Sequence, residues 1–190
     1  MKIIGLAGRP GSGKSAVADA LASRPNVAWI DLDRVAWETY APGTETFDLV
    51  VGRFGEGVVT EDGEIDRGEL AVAVFIDPDA REDLEAIVHP AVAERLVALC
   101  EEHRERGTKV VLVEGALLTT SRHVDRSIFD AVIWLDVPDF VREERLRAAG
   151  RLDHAGRGDD LAPDDSAILI EAQGSLSEVS TCVWKRIAEL

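Results

Sequence analysis

Gly8-Arg9-Pro10-Gly11-Ser12-Gly13-Lys14-Ser15 fits the pattern G-x-x-x-x-G-K-[ST] at every fixed position. Its flanks fit as well. Lys2-Ile3-Ile4-Gly5-Leu6-Ala7 reads as a short buried strand, and Ala16-Val17-Ala18-Asp19-Ala20-Leu21 continues as a helix. Strand, glycine loop and helix in that order turn a run of backbone N–H groups towards one point, where the helix N-terminus adds its partial positive charge. Such a cradle holds the β-phosphate of a nucleotide, with contacts expected at Gly8, Pro10, Gly11, Ser12, Gly13, Lys14 and Ser15. Lys14 is expected to reach the β- and γ-phosphates, and the Ser15 hydroxyl to sit on Mg²⁺. The stretch specifies a nucleoside triphosphate site.

The chain has 190 residues, of which 46% are hydrophobic, enough for one domain with an inserted subdomain and a proper core. No apolar run approaches the ~20 residues of a membrane span. The loop's strand begins at residue 2, which leaves no room for a targeting peptide, so a cytoplasmic location is expected. Cys100 and Cys182 lack metal-type spacing and read as reduced cysteines. The net charge of −15 argues against a nucleic-acid-binding surface and would repel an anionic substrate. Any phosphate-handling site must therefore be locally basic. Arg142, Arg145, Arg147, Arg151 and Arg157 mark the expected place for that patch.

Asn26 to Ile30 reads as a second strand, ending at Asp31-Leu32-Asp33. Carboxylates there face the crevice in which α/β sheets bind ligands. Asp33 also precedes a helical run, so spacing alone divides it between a helix cap and a catalytic group, while Asp31 leans structural. Residues 38–107 read as a mostly helical insertion between the second and third strands. Asp66 and Glu69 resemble a capping box, and a fresh or kinked helix is expected from His89-Pro90 to about Arg106. Lys109 to Glu114 is a buried third strand whose terminal acid occupies a Walker B position, where a carboxylate holds Mg²⁺ or its water shell. A fourth strand spans Ala131 to Asp136, a lid-like segment 141–165, and a fifth strand Ala167 to Ile170. Ser175 and Glu178 then offer a capping box for a last helix with Val179, Val183, Trp184 and Ile187 inward. Strands alternating with helices imply an α/β fold, a five-stranded parallel sheet flanked by helices. The chain is expected to be one P-loop kinase domain, with its core at 1–37 and 108–190.

Taken jointly, five segments resemble the dephospho-CoA kinase family. They are the phosphate loop, Ile30-Asp31-Leu32-Asp33 with Pro42-Gly43, Phe54-Gly55, Asp62-Gly63-Glu64-Ile65-Asp66-Arg67, and Leu84-Glu85-Ala86-Ile87-Val88-His89-Pro90. The resemblance covers residues 2–147 well and 166–180 weakly. It implies ATP and Mg²⁺ as cofactors and dephospho-CoA as the small-molecule partner, phosphorylated at its ribose 3′-hydroxyl. It implies Asp33 as the base, Lys14 and Arg145 as further catalytic groups, and Ser15 with Glu114 as the Mg²⁺ side. Asp31, His89 and Leu117 are the implied substrate contacts, though the reading of His89 leans towards packing ahead of a proline helix start. Residues 38–107 would be the family's CoA-side subdomain.

The chain departs from the family where Glu114-Gly115-Ala116-Leu117-Leu118-Thr119-Thr120 lacks a proline and a final glutamate. Ala149 stands where a second arginine belongs, and Ala172 where the family often has Asn. These changes keep two other readings open, a kinase for another small acceptor such as a nucleoside and a regulatory relative with little turnover. No Asn-Lys-x-Asp tetrapeptide supports a GTPase. Oligomeric state stays open, because an amphipathic helix face serves a core or a subunit contact equally.

Overall fold

β1 (Lys2–Ala7) forms the middle of a five-stranded sheet. With β2 (Val27–Asp31), β3 (Val110–Glu114), β4 (Ala131–Asp136) and β5 (Ile168–Glu171) the order is β2-β3-β1-β4-β5, parallel at every pairing. This computed structural model describes residues 1–115, 118, 123–156, 158 and 161–190, with the backbone alone at 153. The described helices are α1 (Lys14–Ala22), α2 (Leu32–Thr39), α3 (Glu45–Phe54), α4 (Arg67–Ile76), α5 (Pro78–Glu105), α6 (Asp139–Ala148) and α7 (Leu176–Glu189). The α/β class and the parallel five-stranded sheet expected from strand–helix alternation are what the chain adopts.

β3 is buried at every residue and β1 at all but Lys2, as strands covered on both faces must be, which is why they read as continuous apolar runs. Ile4, Leu6, Leu112, Ile133 and Leu135 form the centre of the core, joined by Val17, Ala18 and Leu21 of α1 and Val179, Val183 and Ile187 of α7. Each of the larger side chains contributes about 1.5–3 kcal/mol on burial. The Ser175–Glu178 capping box closes reciprocally at the start of α7. Arg24 stacks on the Trp184 ring at 4.6 Å and Lys2 donates to the Ile187 carbonyl at 2.9 Å, so α7 is pinned at both faces of its last turns.

The chain divides into two compact units, Met1–Leu32 with Cys100–Leu190, and Asp33–Leu99. In the second, Thr44 caps α3 and Asp66 caps α4, accepting from the Gly68 and Glu69 backbone N–H groups. A tight turn at Asp62-Gly63 brings Val59 and Ile65 into an antiparallel bridge.

Two alternatives left open by the sequence are decided. Of the fresh or kinked helix expected at His89-Pro90, the fresh start is ruled out, since α5 runs through Pro90. Proline removes one backbone hydrogen bond there, but Val88, Val92, Leu96 and Cys100 are buried at four-residue spacing along one stripe, and that packing carries the helix across. Asp33 is not a cap, since α2 starts at Leu32 directly after β2 and leaves Asp33 in the first turn. Within the stretch after α6, Leu152–His154 forms a single 3₁₀ turn and Leu161 is buried.

Candidate active site

The phosphate loop leaves β1 at Ala7 and enters α1 at Lys14. Gly13, the residue before α1, adopts φ 94°, a left-handed conformation that side chains other than glycine's rarely tolerate. Gly11 has a different constraint, for a Cβ there would lie 2.7 Å from the Arg142 carbonyl oxygen. The Ser12 N–H donates to the Arg9 carbonyl, closing the turn. Lys14 Nζ donates to the carbonyl oxygens of Gly8 at 2.9 Å and Arg9 at 3.3 Å, which holds the ammonium over the loop. Pro10 gives its carbonyl to Arg142 Nη1 at 2.9 Å.

Ser15 and Glu114 are brought together. Ser15 Oγ donates to Glu114 Oε2 at 3.2 Å, and Glu114 is buried, 6% exposed. The sheet register explains the meeting. Leu6 and Asp31 both pair with Glu114, so β1, β3 and β2 end at one level, and the loop turns back over that edge. Asp31 is half-buried beside Glu114 at the carboxyl end of the sheet. Two hard oxygen donors side by side suit Mg²⁺. Among the described residues no group of three or more acidic, His or Cys side chains could hold a metal alone.

The arginine-rich stretch is only in part the open patch expected. Arg142 is 3% exposed, and its guanidinium bonds Asp139 Oδ1 and the Pro10 carbonyl. Asp139 is held below the usual carboxylate range by that hydrogen bond and the Arg142 charge, with Arg9 adding to both. Arg145 spans the loop and the far edge of the sheet, donating to the Ser12 carbonyl at 3.2 Å and the Ala172 carbonyl at 2.8 Å. It lines a cavity of about 330 Å³ with Ala16, Val17, Gly174, Leu176 and Val179. Arg157 and Leu117 lie outside the described residues.

In the second unit Asp33 is exposed in the first turn of α2, and His89 is half-buried inside α5. A second cavity of about 310 Å³ is lined there by Arg34, Trp37, Glu38, Tyr40, Ile65 and Arg67 among others. The Arg67 guanidinium lies 4.2 Å from the centre of the Trp37 ring. Burial pushes the Tyr40 phenol up to about 12, partly opposed by the nearby Arg67 charge. The sequence reading did not assign Trp37, Tyr40 or Arg67 to a site. Arg67 was visible at the end of the Asp62-to-Arg67 segment, but nothing local says that Trp37, thirty positions earlier, lies beneath it. The cavity at Ala172 and Gly174 left still less trace, since its walls come from both ends of the chain.

The dephospho-CoA kinase family model matches residues 2–156. The chain belongs to that family. A dephospho-CoA kinase of Corynebacterium glutamicum is 35% identical over 195 residues, covering 98% of each chain. One from Symbiobacterium thermophilum is 38% identical over 179 residues, 94% of this chain and 70% of its own length. A crystal structure from Thermus thermophilus superposes with a TM-score of 0.76 at 30% identity, covering 100% of this chain and 97% of that one. A dephospho-CoA kinase from Campylobacter jejuni, at 14% identity and TM-score 0.60 over 100% and 98% of the chains, shares the fold. No described helix of this chain is long and apolar enough to cross a membrane.

Proposed function

We infer that this chain is an ATP-dependent dephospho-CoA kinase of coenzyme A biosynthesis, transferring the γ-phosphoryl group to the ribose 3′-hydroxyl. The observation that carries the reading beyond family membership is the Ser15–Glu114 pair at 3.2 Å beside the glycine loop and Lys14. Together they supply the phosphate cradle and metal-side oxygens that phosphoryl transfer needs. Mg²⁺ on Ser15 and Glu114 would neutralise phosphate charge. The loop N–H groups and Lys14 hold the β- and γ-phosphates in line for attack. Asp33 accepts the hydroxyl proton as the acceptor oxygen bonds to the γ-phosphorus and the bond to the ADP oxygen breaks.

For Arg145 the geometry favours a job other than the catalytic one expected from sequence. Its guanidinium is spent on two backbone carbonyls, and Arg145 lines the cavity at Ala172 and Gly174. We assign the nucleotide base to that cavity, with the guanidinium as its stacking face. On the acceptor side, the Arg34 and Arg67 charges suit the pyrophosphate of dephospho-CoA, and Trp37 and Tyr40 offer flat apolar surface. A net charge of −15 makes such local arginines necessary. Asp31 supports Glu114 by register, and His89 and Leu117 stay as acceptor contacts of the proposal.

The test is ADP release with Mg²⁺-ATP and dephospho-CoA, a nucleoside panel or no acceptor. Dephospho-CoA-dependent ADP, with CoA as product, is expected. Turnover with a nucleoside alone would overturn the acceptor assignment. Nucleotide binding without any turnover would overturn the enzyme.

A further inference from the structure

Arg9 occupies a free position of the phosphate-loop pattern, where any residue satisfies the motif. Its backbone and its side chain nevertheless face different partners. The backbone carbonyl accepts from the Ser12 N–H and from Lys14 Nζ, so it belongs to the cradle itself. Arg9 Nε donates to the Leu161 carbonyl at 3.2 Å, across 152 positions of sequence, and Nη1 pairs with Asp139 Oδ1 at 3.4 Å.

The neighbouring residues continue the same seam. A Cβ on Gly158 would approach Pro10 Cδ to 3.2 Å, and Leu161 is 6% exposed. Pro10 accepts from Arg142, and Gly11 backs directly onto the Arg142 carbonyl. Asp164 is tied in turn to Arg126 by an ion pair. Three successive loop residues therefore rest on α6 and on the stretch that follows it. A loop that must present its N–H groups in one arrangement gains affinity when that arrangement is fixed from behind before the ligand arrives.

We propose that Arg9 is a positioning residue for the nucleotide, clamping the phosphate loop to the stretch around Leu161 through the Leu161 carbonyl and Asp139. This rests on the kinase reading above but concerns only the nucleotide half of it. Through its own carbonyl, the clamp also sets where Lys14 waits. The guanidinium is the right group for it, since its donors point in fixed directions and reach a carbonyl and a carboxylate at once.

The experiment uses the full chain with Arg9→Ala and Arg9→Lys. It measures binding of a non-hydrolysable ATP analogue, KM for ATP and for dephospho-CoA, kcat, melting temperature and tryptic cleavage after Arg151. Arg9→Ala is expected to weaken analogue binding and raise the ATP KM by about 5–20-fold, more than it lowers kcat, as a coupling of this kind does. The acceptor KM should stay within about twofold, and cleavage after Arg151 should quicken. Arg9→Lys keeps the charge facing Asp139 but loses the Nε donor, so it should fall between the two. Should the alanine variant fail to fold, the lysine variant carries the same test with a weakening of about 2–5-fold. Analogue affinity equal to the wild type's in both variants would overturn the proposal. So would losses on both substrates that simply track the melting temperature. If the wild-type protein binds the analogue but does not phosphorylate dephospho-CoA, the kinase reading fails, and analogue binding still decides the role of Arg9.

Discussion

The phosphate loop and the cavity around Trp37 and Arg67 are built from opposite materials. The loop is made by backbone. Its geometry depends on a left-handed Gly13, on a Gly11 pressed against the Arg142 carbonyl, and on carbonyls that hold Lys14. The cavity is made by side chains, with an arginine over an indole, a half-buried phenol and a second arginine on a short helix. Backbone geometry is set by a few residues in a row, so a short motif can announce it. A side-chain cavity depends on which helices happen to adjoin, and many residue combinations fill it. The first kind of site is suited to phosphates, which are common to every nucleotide. The second is where, on the proposal above, an acceptor is told from its competitors.

Substitutions can break that contrast or sharpen it. The largest effect is expected at Asp33, where Asp33→Asn removes the proton acceptor and should lower kcat by about 10²–10⁴-fold with nucleotide affinity kept. Wild-type turnover in steady-state assays would strip Asp33 of its role as base. Lys14→Ala should lower kcat/KM for ATP by about 10²–10³-fold, the scale for losing one preorganised donor to developing charge. If the acceptor KM suffered as much as the ATP KM, the loop would not be a purely phosphate-side device.

Gly11→Ala forces a methyl group against a backbone oxygen and should destabilise the fold by about 1–3 kcal/mol in denaturant titration. No loss would show that the loop can shift, and that backbone does not dictate it. Arg67→Ala should raise the acceptor KM by about 2–30-fold, the range that a cation–π contact converts to, with ATP affinity untouched. An effect on ATP instead would move the cavity to the wrong substrate.

The smallest effect is spectroscopic. Tyr40 is the only tyrosine, so tyrosinate absorbance reports it alone. Its folded pKa is raised to about 12 against 10.0, chiefly by burial. Below pH 10 the phenol is neutral in both folded and unfolded chains and stability is fully present. Between about 10 and 12 the unfolded chain ionises first, so stability falls as pH rises. A midpoint near 10 in the folded protein would mean the phenol is not buried in the cavity wall.

The sequence by itself determined the sheet, the phosphate loop and the helix caps. Each rests on residues within a few positions of one another, whether a continuous apolar run for β3, glycines at fixed offsets, or a serine three residues before a glutamate. The family resemblance was legible for the same reason, through short segments. Tertiary structure alone decided the rest. Pro90 looked like a helix boundary because propensity is local, and the long buried stripe of α5 overrode it. Asp33 looked like a possible cap until β2 ran straight into α2. Arg145 is engaged by Ser12 and Ala172, Arg9 by Leu161, and Trp37 by Arg67, partners that lie 133, 27, 152 and 30 positions away respectively. No local propensity acts over such separations. The Arg145 and Arg9 contacts exist because the sheet order 2-3-1-4-5 brings distant segments together. The Trp37–Arg67 contact exists because α2 and α4 meet within the second unit.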